Sequence, residues 1–129
     1  MGQSFQPSRF AVLVVEHDPL ILTEAVDLVE EAGFIAYEAR NADQAIRLLE
    51  RHPEITVLLT DVDMPGSMDG LKLARAVRDR WPPVRIIVTS GHTKVTEADM
   101  PEESLFFAKP YPPQTMVQAL TRVAEQLLR

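Results

Sequence analysis

The chain has no cysteine, only five glycines and a single tryptophan, and its 129 residues carry a net charge of −6. The absence of cysteine excludes a disulfide framework and thiolate metal sites. The acidic balance leaves no basic surplus to neutralise phosphates, which argues against non-specific nucleic-acid binding. No apolar run approaches the length of a membrane span, and the first ten residues lack the apolar stretch of a signal peptide. We therefore predict a cytoplasmic protein that has neither nucleic acid nor membrane as a partner.

The composition is otherwise that of a globular protein with a proper core. Hydrophobic residues make up 46% of the chain and charged residues 25%, within a mass of 14.5 kDa. The first nine residues are polar, with two serines, a glycine and a proline. We predict that residues 1–9 form a flexible tail and that residues 10–129 form one domain.

Three short apolar runs each end at a charged residue. Short apolar runs followed by helix-like segments are typical of buried parallel strands, and ligands bind at the carboxyl ends of such strands in an open sheet. The three junctions are Val15–Glu16, Thr60–Asp61 and Ala108–Lys109. The sequence therefore predicts one cleft that contains several carboxylates and a lysine.

Strand-like and helix-like segments alternate along the chain, which predicts an α/β fold with helices on both faces of a doubly wound parallel sheet of five strands. In the common strand order 2-1-3-4-5, strands one and three are neighbours. The predicted strands are Ala11–Val15, Phe34–Ala39, Thr56–Thr60, Val84–Val88 and Ser104–Ala108. The predicted helix N-caps are Asp18, Asn41 and Asp69.

The exception to this alternation is the segment His92–Glu103, where the pattern calls for a fourth helix. The segment offers few apolar groups, Thr93 and Thr96 are poor helix formers, and Pro101 interrupts it. We expect this helix to be short or irregular, and we expect the segment to be the least ordered part of the folded domain.

The predicted cleft brings together groups that suit a metal ion and a phosphoryl group. Asp61 ends the third strand, and Glu16 and Asp18 follow the first, so these carboxylates converge and would repel one another unless a cation joined them. Lys109, after the fifth strand, supplies a positive charge for an anion. The hydroxyl of Thr89, after the fourth strand, can donate to a phosphoryl oxygen.

Each of these residues also has a purely structural interpretation. Asp61 could be a strand-end carboxylate or a helix cap, and Asp18 could be only the cap of the first helix. Thr89 could belong to a small polar turn, and Lys109 could be solvated. Phe106 could be a core aromatic without a further role.

Taken in order, four motifs give a specific resemblance. From Phe10 to about Leu128, the chain resembles a receiver domain of two-component response regulators, which have the flavodoxin-like form of the predicted fold. The motifs are Val14-Val15-Glu16, Thr60-Asp61-Val62-Asp63-Met64-Pro65-Gly66, Val88-Thr89-Ser90-Gly91 and Lys109-Pro110-Tyr111.

The resemblance implies a role for each matching position in the cleft. Asp61 matches the phosphoacceptor, which attacks a phosphohistidine. Glu16 matches the first member of the acidic pair that holds Mg²⁺, and Asp63 matches the position whose backbone carbonyl binds that metal. Lys109 matches the lysine that bonds the phosphoryl oxygen.

Two further positions match the family's conformational switch. Thr89 corresponds to the hydroxyl that turns toward the phosphoryl group, and Phe106 to the aromatic ring that rotates with it. The Lys109–Pro110 bond is typically cis in this family.

The resemblance also implies how such a module works. The partners are a sensor histidine kinase or phosphotransfer protein and a downstream protein. The module accepts a phosphoryl group and can release it by hydrolysis, but it is not a conventional enzyme. Because no output domain follows the last helix, we expect output through protein contacts, competition for phosphoryl groups or homodimer formation.

One position departs from the family pattern. His17 occupies the place of the second acidic residue, and imidazole is a poor ligand for Mg²⁺, although Mn²⁺ accepts it more readily. Glu16, Asp18 or water could replace the missing ligand, or metal binding could be weak. A solvent-facing His17 is an equally good interpretation.

Two other functions compete with the phosphoacceptor. The substitution at His17 is compatible with a pseudo-receiver, a protein-binding module that works without phosphorylation. Asp61-Val62-Asp63 resembles the Asp-x-Asp motif of haloacid-dehalogenase-type phosphatases. Those enzymes carry the motif on the first strand and an acidic pair after the lysine, which this chain lacks from Gln114 onward.

Overall fold

Within residues 10–66 and 68–127, which the computed structural model describes, the chain forms five parallel strands and four α-helices. The predicted tail, residues 1–9, lies outside the described residues. The strands are β1 (Ala11–Val15), β2 (Ile35–Ala39), β3 (Ile55–Asp61), β4 (Arg85–Ser90) and β5 (Leu105–Ala108). The helices are α1 (Pro19–Glu31), α2 (Ala42–Arg51), α3 (Gly70–Arg80) and α4 (Pro113–Leu127).

The sheet has the order β2-β1-β3-β4-β5, which confirms the predicted fold. Both faces are covered: Leu13 and Val15 of β1 face a core shared with α2 and α3, while Val12 and Val14 face a core shared with α1 and α4. This double burial is the reason why the strand is apolar at every position. No helix in the described ranges has the length and apolar character needed to cross a membrane.

Three polar residues start their helices as predicted. The Asp18 carboxylate accepts hydrogen bonds from the first amides of α1, and the Asn41 and Asp69 side chains each accept one at the start of α2 and α3. Each bond satisfies an amide that has no partner within its helix. The helices therefore begin close to the ends of the strands that precede them.

Two central strands run further than the apolar pattern predicted. β3 includes Asp61 and β4 includes Ser90, whereas the predicted strands ended at Thr60 and Val88. The ladder pairs Asp61 with Thr89, and the amide of Val62 donates to the Thr89 carbonyl at 2.8 Å. A polar side chain does not stop a strand whose backbone groups still find partners, so both residues lie in the sheet and not beyond it.

The segment between β4 and β5 contains only a single 3₁₀ turn, Glu97–Asp99, in agreement with the predicted short or irregular helix. No residue from 91 to 103 is buried. Val95 and Met100 are half-buried and pack against the core that faces α2 and α3. Polar contacts also hold the segment: Arg75 of α3 donates to the Asp99 carbonyl at 2.7 Å, and Arg85 lies 3.5 Å from the Glu103 carboxylate.

Candidate functional site

The site is centred on Asp61, at the carboxyl end of β3. The Asp61 side chain is 4% exposed, and its Oδ1 atom lies 3.2 Å from the Lys109 ammonium. The same ammonium lies 2.5 Å from Oε1 of Glu16, which follows β1. Three strand ends thus bring together the two carboxylates and the lysine that the sequence predicted to share a cleft.

Contacts of both the main chain and the side chain fix the position of Lys109. Its amide donates to the Ser90 carbonyl at 2.9 Å, and the Lys109–Pro110 peptide bond is cis, as the family resemblance implied. Burial opposes the ammonium charge, but the hydrogen bond that Lys109 donates to Glu16 and the charges of Asp61 and Glu16 outweigh it and raise the pKa of Lys109. The lysine is therefore a fixed cation in the pocket.

Glu16 and Asp18 have different roles at the start of α1. Glu16 is buried, and its second oxygen, Oε2, accepts a hydrogen bond from the Asp18 amide at 3.0 Å. Asp18 is exposed, and its Oδ1 atom accepts from the amides of Leu20 and Ile21. Glu16 thus faces the pocket, while the Asp18 carboxylate caps the helix.

The environment of Asp61 disfavours its charge. Burial raises the pKa of Asp61, the Glu16 carboxylate raises it further, and the opposing charge of Lys109 does not compensate. Among the residues that the structure describes, the Lys109 ammonium at 3.2 Å is the one donor group near the buried Oδ1 atom. A second cation at this oxygen would relieve the repulsion between the two carboxylates.

The groups around this oxygen suit a hard divalent cation such as Mg²⁺. Glu16 and Asp61 offer carboxylate oxygens, Asp63 offers a backbone carbonyl close by in the sequence, and all three are oxygen donors. Within residues 10–66 and 68–127, no three His, Cys, Asp or Glu side chains converge on a metal position. A cation here therefore depends on a main-chain carbonyl and water to complete its ligands.

The side chain of Asp63 makes contacts that sequence reasoning missed. Its carboxylate accepts hydrogen bonds from the Ser90 hydroxyl at 3.1 Å, from the amides of Gly91 and His92 at 3.3 Å each, and from the Thr93 hydroxyl. Burial raises the pKa of Asp63, but these hydrogen bonds outweigh it and hold the pKa below its ordinary value. An Asp two residues after a site residue gives no sequence signal for such contacts.

The two predicted switch residues lie on neighbouring strands at the edge of the site. Thr89 is buried, and its hydroxyl donates to the Thr60 carbonyl at 3.5 Å. Phe106 is half-buried and packs against the core that faces α2 and α3. Thr89 is paired with Asp61 in the ladder, and Phe106 is paired with Val88.

His17 is exposed, and its carbonyl accepts a hydrogen bond from Arg40 at 3.4 Å. It lies at a shallow surface depression that also includes Arg40, Asn41 and Gly66. Its side chain thus faces outward, whereas the neighbouring Glu16 side chain faces Lys109.

Gly70 is a second residue that sequence reasoning missed. A Cβ atom at this position would overlap the Asp61 carbonyl oxygen and lie 2.6 Å from the Asp61 carbonyl carbon. The Gly70 amide donates to the Val62 carbonyl at 3.2 Å, so the start of α3 contacts the backbone that carries Asp61. The Asp69-Gly70 pair at the predicted cap was the available signal, since glycine permits close backbone approach.

Comparison with known proteins agrees with this geometry. A family model described as the response regulator receiver domain matches residues 12–121. The response regulator receiver protein CpdR of Brucella abortus is 28% identical over 87% of this chain and 94% of its own length. The hydrogenase transcriptional regulatory protein HoxA of Cupriavidus necator is 29% identical over 89% of this chain and 24% of its own length.

A solved structure shares the fold. The chain superposes on a response regulator receiver protein from Sinorhizobium medicae with a TM-score of 0.84 and 22% identity, covering 92% of this chain and 96% of that one. The chain spans only 19% to 45% of the length of several other curated relatives. The family match covers most of the sequence and all five strands except the first residue of β1, and the chain belongs to the response regulator receiver domain family of two-component systems.

Proposed function

We propose that this receiver domain is a phosphorylation-dependent switch whose phosphoacceptor is Asp61. The observation that carries the proposal is the Lys109 ammonium, held between the carboxylates of Glu16 and Asp61 at the end of the central strand. A fixed cation beside a buried carboxylate provides the charge that a transferred phosphoryl group requires.

The transfer involves the groups of this pocket, a phosphohistidine and a bound Mg²⁺ ion. An oxygen of the Asp61 carboxylate attacks phosphorus, a P–O bond forms while the P–N bond breaks, and the imidazole leaves with the electron pair and takes up a proton from solvent. Lys109 offsets the charge on the transferred oxygens. Mg²⁺, held by Glu16, Asp61 and the Asp63 carbonyl, supplies further positive charge there when it is bound.

The donor in two-component systems is a histidine kinase or phosphotransfer protein, and a groove beside the pocket suits such a partner. The groove has a volume of about 660 Å³ and is lined by Ile21 and Leu28 of α1 and by Tyr111 and Lys109 on the opposite side. Apolar grooves of this kind bind amphipathic helices. A donor helix in this groove would lie next to Lys109.

The response to phosphorylation would start at Thr89. Its hydroxyl has one weak acceptor, the Thr60 carbonyl at 3.5 Å, and a phosphoryl oxygen on Asp61 offers a stronger, charged acceptor on the paired strand. Rotation of Thr89 would leave space into which the half-buried Phe106 can turn, as the family resemblance implies. The surface beside β5 would then change and alter the binding of a downstream protein.

A second candidate, the pseudo-receiver, is favoured by two features of the residues that would bind Mg²⁺. His17 replaces a carboxylate, and both oxygens of Glu16 already have partners, Lys109 and the Asp18 amide. Both features weaken the site for Mg²⁺. In that case the domain would bind its partner without phosphorylation.

Intact mass spectrometry separates these candidates. The protein is exposed to acetyl phosphate with Mg²⁺ and with a chelator, next to the variant Asp61→Asn, which keeps the size and polarity of the side chain. We expect wild-type protein to gain the mass of one phosphoryl group only with Mg²⁺, and the variant to gain none. A variant that gains it at the wild-type rate would contradict the assignment, and wild-type protein that never gains it would favour the pseudo-receiver.

A further inference from the structure

The Asp63 carboxylate joins the phosphoacceptor pocket to the loop that follows β4. Within one turn of that loop, two hydroxyls and two amides donate to it. The Ser90 hydroxyl also lies 2.7 Å from the Thr93 carbonyl, so its hydrogen is shared between this carbonyl and Asp63. We call this hydrogen-bonded unit, Asp63 with Ser90–Thr93, the Asp63 latch.

The backbone on either side of the latch belongs to the pocket. Asp63 lies two residues after Asp61, and the intervening Val62 amide donates to Thr89 at 2.8 Å. Ser90 accepts from the Lys109 amide at 2.9 Å. One continuous network of hydrogen bonds therefore joins Asp61, Lys109 and the turn that begins the irregular segment.

Few other contacts hold that turn in place. No residue from 91 to 103 is buried, and the apolar packing of the segment comes from Val95 and Met100, which are half-buried against the core that faces α2 and α3. The contacts of Arg75 and Arg85 hold its middle and its far end. Among these contacts, the latch is the one that ties the near end to the pocket.

We propose that Asp63 is a positioning residue: its carboxylate, anchored in the loop, fixes the direction of its own backbone carbonyl toward the metal position. This inference rests on the proposed function, because it takes that carbonyl as a metal ligand. Release of the loop would free the carbonyl and weaken metal binding, because a preorganised ligand binds better than a mobile one. By thermodynamic reciprocity, metal binding would tighten the loop by the same factor.

The test uses two matched threonines in the full-length protein. Thr93→Val removes the hydroxyl that donates to Asp63, and Thr96→Val removes one that donates to Asp99, in the same segment but outside the latch. Neither substitution changes charge. We expect calorimetric titration to show Mg²⁺ binding weakened about 3- to 10-fold in Thr93→Val, the range that one hydrogen bond supplies, and unchanged in Thr96→Val.

Two further measurements separate positioning from general loosening. Thr93→Ser keeps the hydroxyl and should restore wild-type affinity. Hydrogen exchange at the Gly91 and His92 amides should slow on addition of Mg²⁺ in wild-type protein and in Thr96→Val, and should respond much less in Thr93→Val. The inference would be overturned if wild type and Thr93→Val bound Mg²⁺ equally, or if both valine variants lost the same Mg²⁺ affinity. It would also be overturned if wild-type protein bound no Mg²⁺.

The outcome is independent of the phosphoacceptor test. Latch-dependent Mg²⁺ binding in a protein that takes no phosphoryl group would contradict the proposed function alone. If Asp61 is phosphorylated but Thr93→Val binds Mg²⁺ as tightly as wild type, the result would contradict the role of the Asp63 latch alone.

Discussion

Asp61 carries a charge in surroundings that disfavour it, and this has a consequence for stability. Burial and the neighbouring Glu16 raise its pKa in the folded protein, so at neutral pH its ionised form costs stability. As the pH falls, the folded state takes up a proton before the unfolded state does, and this cost disappears.

We therefore predict that Asp61→Asn is more stable than wild type at pH 7 in the presence of a chelator. The difference should shrink as the pH falls through the raised pKa of Asp61 and vanish below its ordinary value. Urea unfolding of both proteins at a series of pH values measures this. A variant that is less stable than wild type at pH 7 would mean that the ion pair with Lys109 outweighs burial.

Gly70 is required by close contact of α3 with the backbone of Asp61, so Gly70→Ala should destabilise the protein. The added Cβ atom would meet backbone atoms, which cannot give way as a flexible side chain can. We expect a loss of about 3 kcal/mol in the free energy of unfolding, typical of overpacking in a rigid place. Gly91→Ala is the control, since its Cβ atom would lie 3.7 Å from the Lys109 side chain, an ordinary contact. Equal losses in the two variants would refute the contact argument.

A substitution at His17 tests whether a missing carboxylate limits Mg²⁺ binding. His17→Asp adds an oxygen ligand and a negative charge beside Glu16, and we expect it to bind Mg²⁺ about tenfold more tightly than wild type. His52→Asp adds the same charge away from the pocket and should have little effect. If His17→Asp and wild type bind Mg²⁺ equally, His17 lies outside the coordination sphere and the pseudo-receiver loses its main support.

How well a residue's position could be predicted depended on whether a pattern in the sequence marked its place in the fold. Glu16, Asp61 and Lys109 each stand at the end of an apolar strand, so the topology alone places them together. No pattern indicates that the Asp63 side chain contacts the loop after β4, and the Asp69-Gly70 pair indicates close backbone approach without identifying Asp61 as the neighbour.

At the scale of secondary structure elements, local chemistry predicted where helices begin and tertiary pairing decided where strands end. Asp18, Asn41 and Asp69 cap their helices as expected, because capping is a contact within one turn. The ends of β3 and β4 were placed too early, because apolar patterning does not register backbone hydrogen bonds to a neighbouring strand.

We predict that His92–Glu103 has the least local stability within residues 10–66 and 68–127. It buries no residue and has a single 3₁₀ turn, whereas α1 buries four residues. Segments with few buried contacts open with low free energy, so we predict faster amide exchange there than in any α-helix. The Gly91 and His92 amides of the Asp63 latch should be slower than those of Lys94 and Val95. Protection throughout the segment equal to that of α1 would contradict this prediction.

At the scale of the whole molecule, the two cores form a stable frame that leaves the signalling parts at one edge. Helices α2 and α3 cover one face of the sheet and α1 and α4 the other. The pocket and the latch lie at the carboxyl ends of the strands, and the irregular segment leads from there to the amino end of β5, where Glu103 meets Arg85 of β4. In the function that we propose, a change at Asp61 would alter a protein-binding surface without disturbing the packed core.

In the function that we propose, a phosphoryl group is transferred to Asp61 and to no other residue. The most direct test is to expose wild-type protein to acetyl phosphate and Mg²⁺, digest it at low pH with a protease and locate the phosphoryl group by mass spectrometry. We predict that the label lies on the peptide that contains β3, at Asp61. A label on another carboxylate, or the absence of any label at saturating Mg²⁺, would contradict the assignment of Asp61.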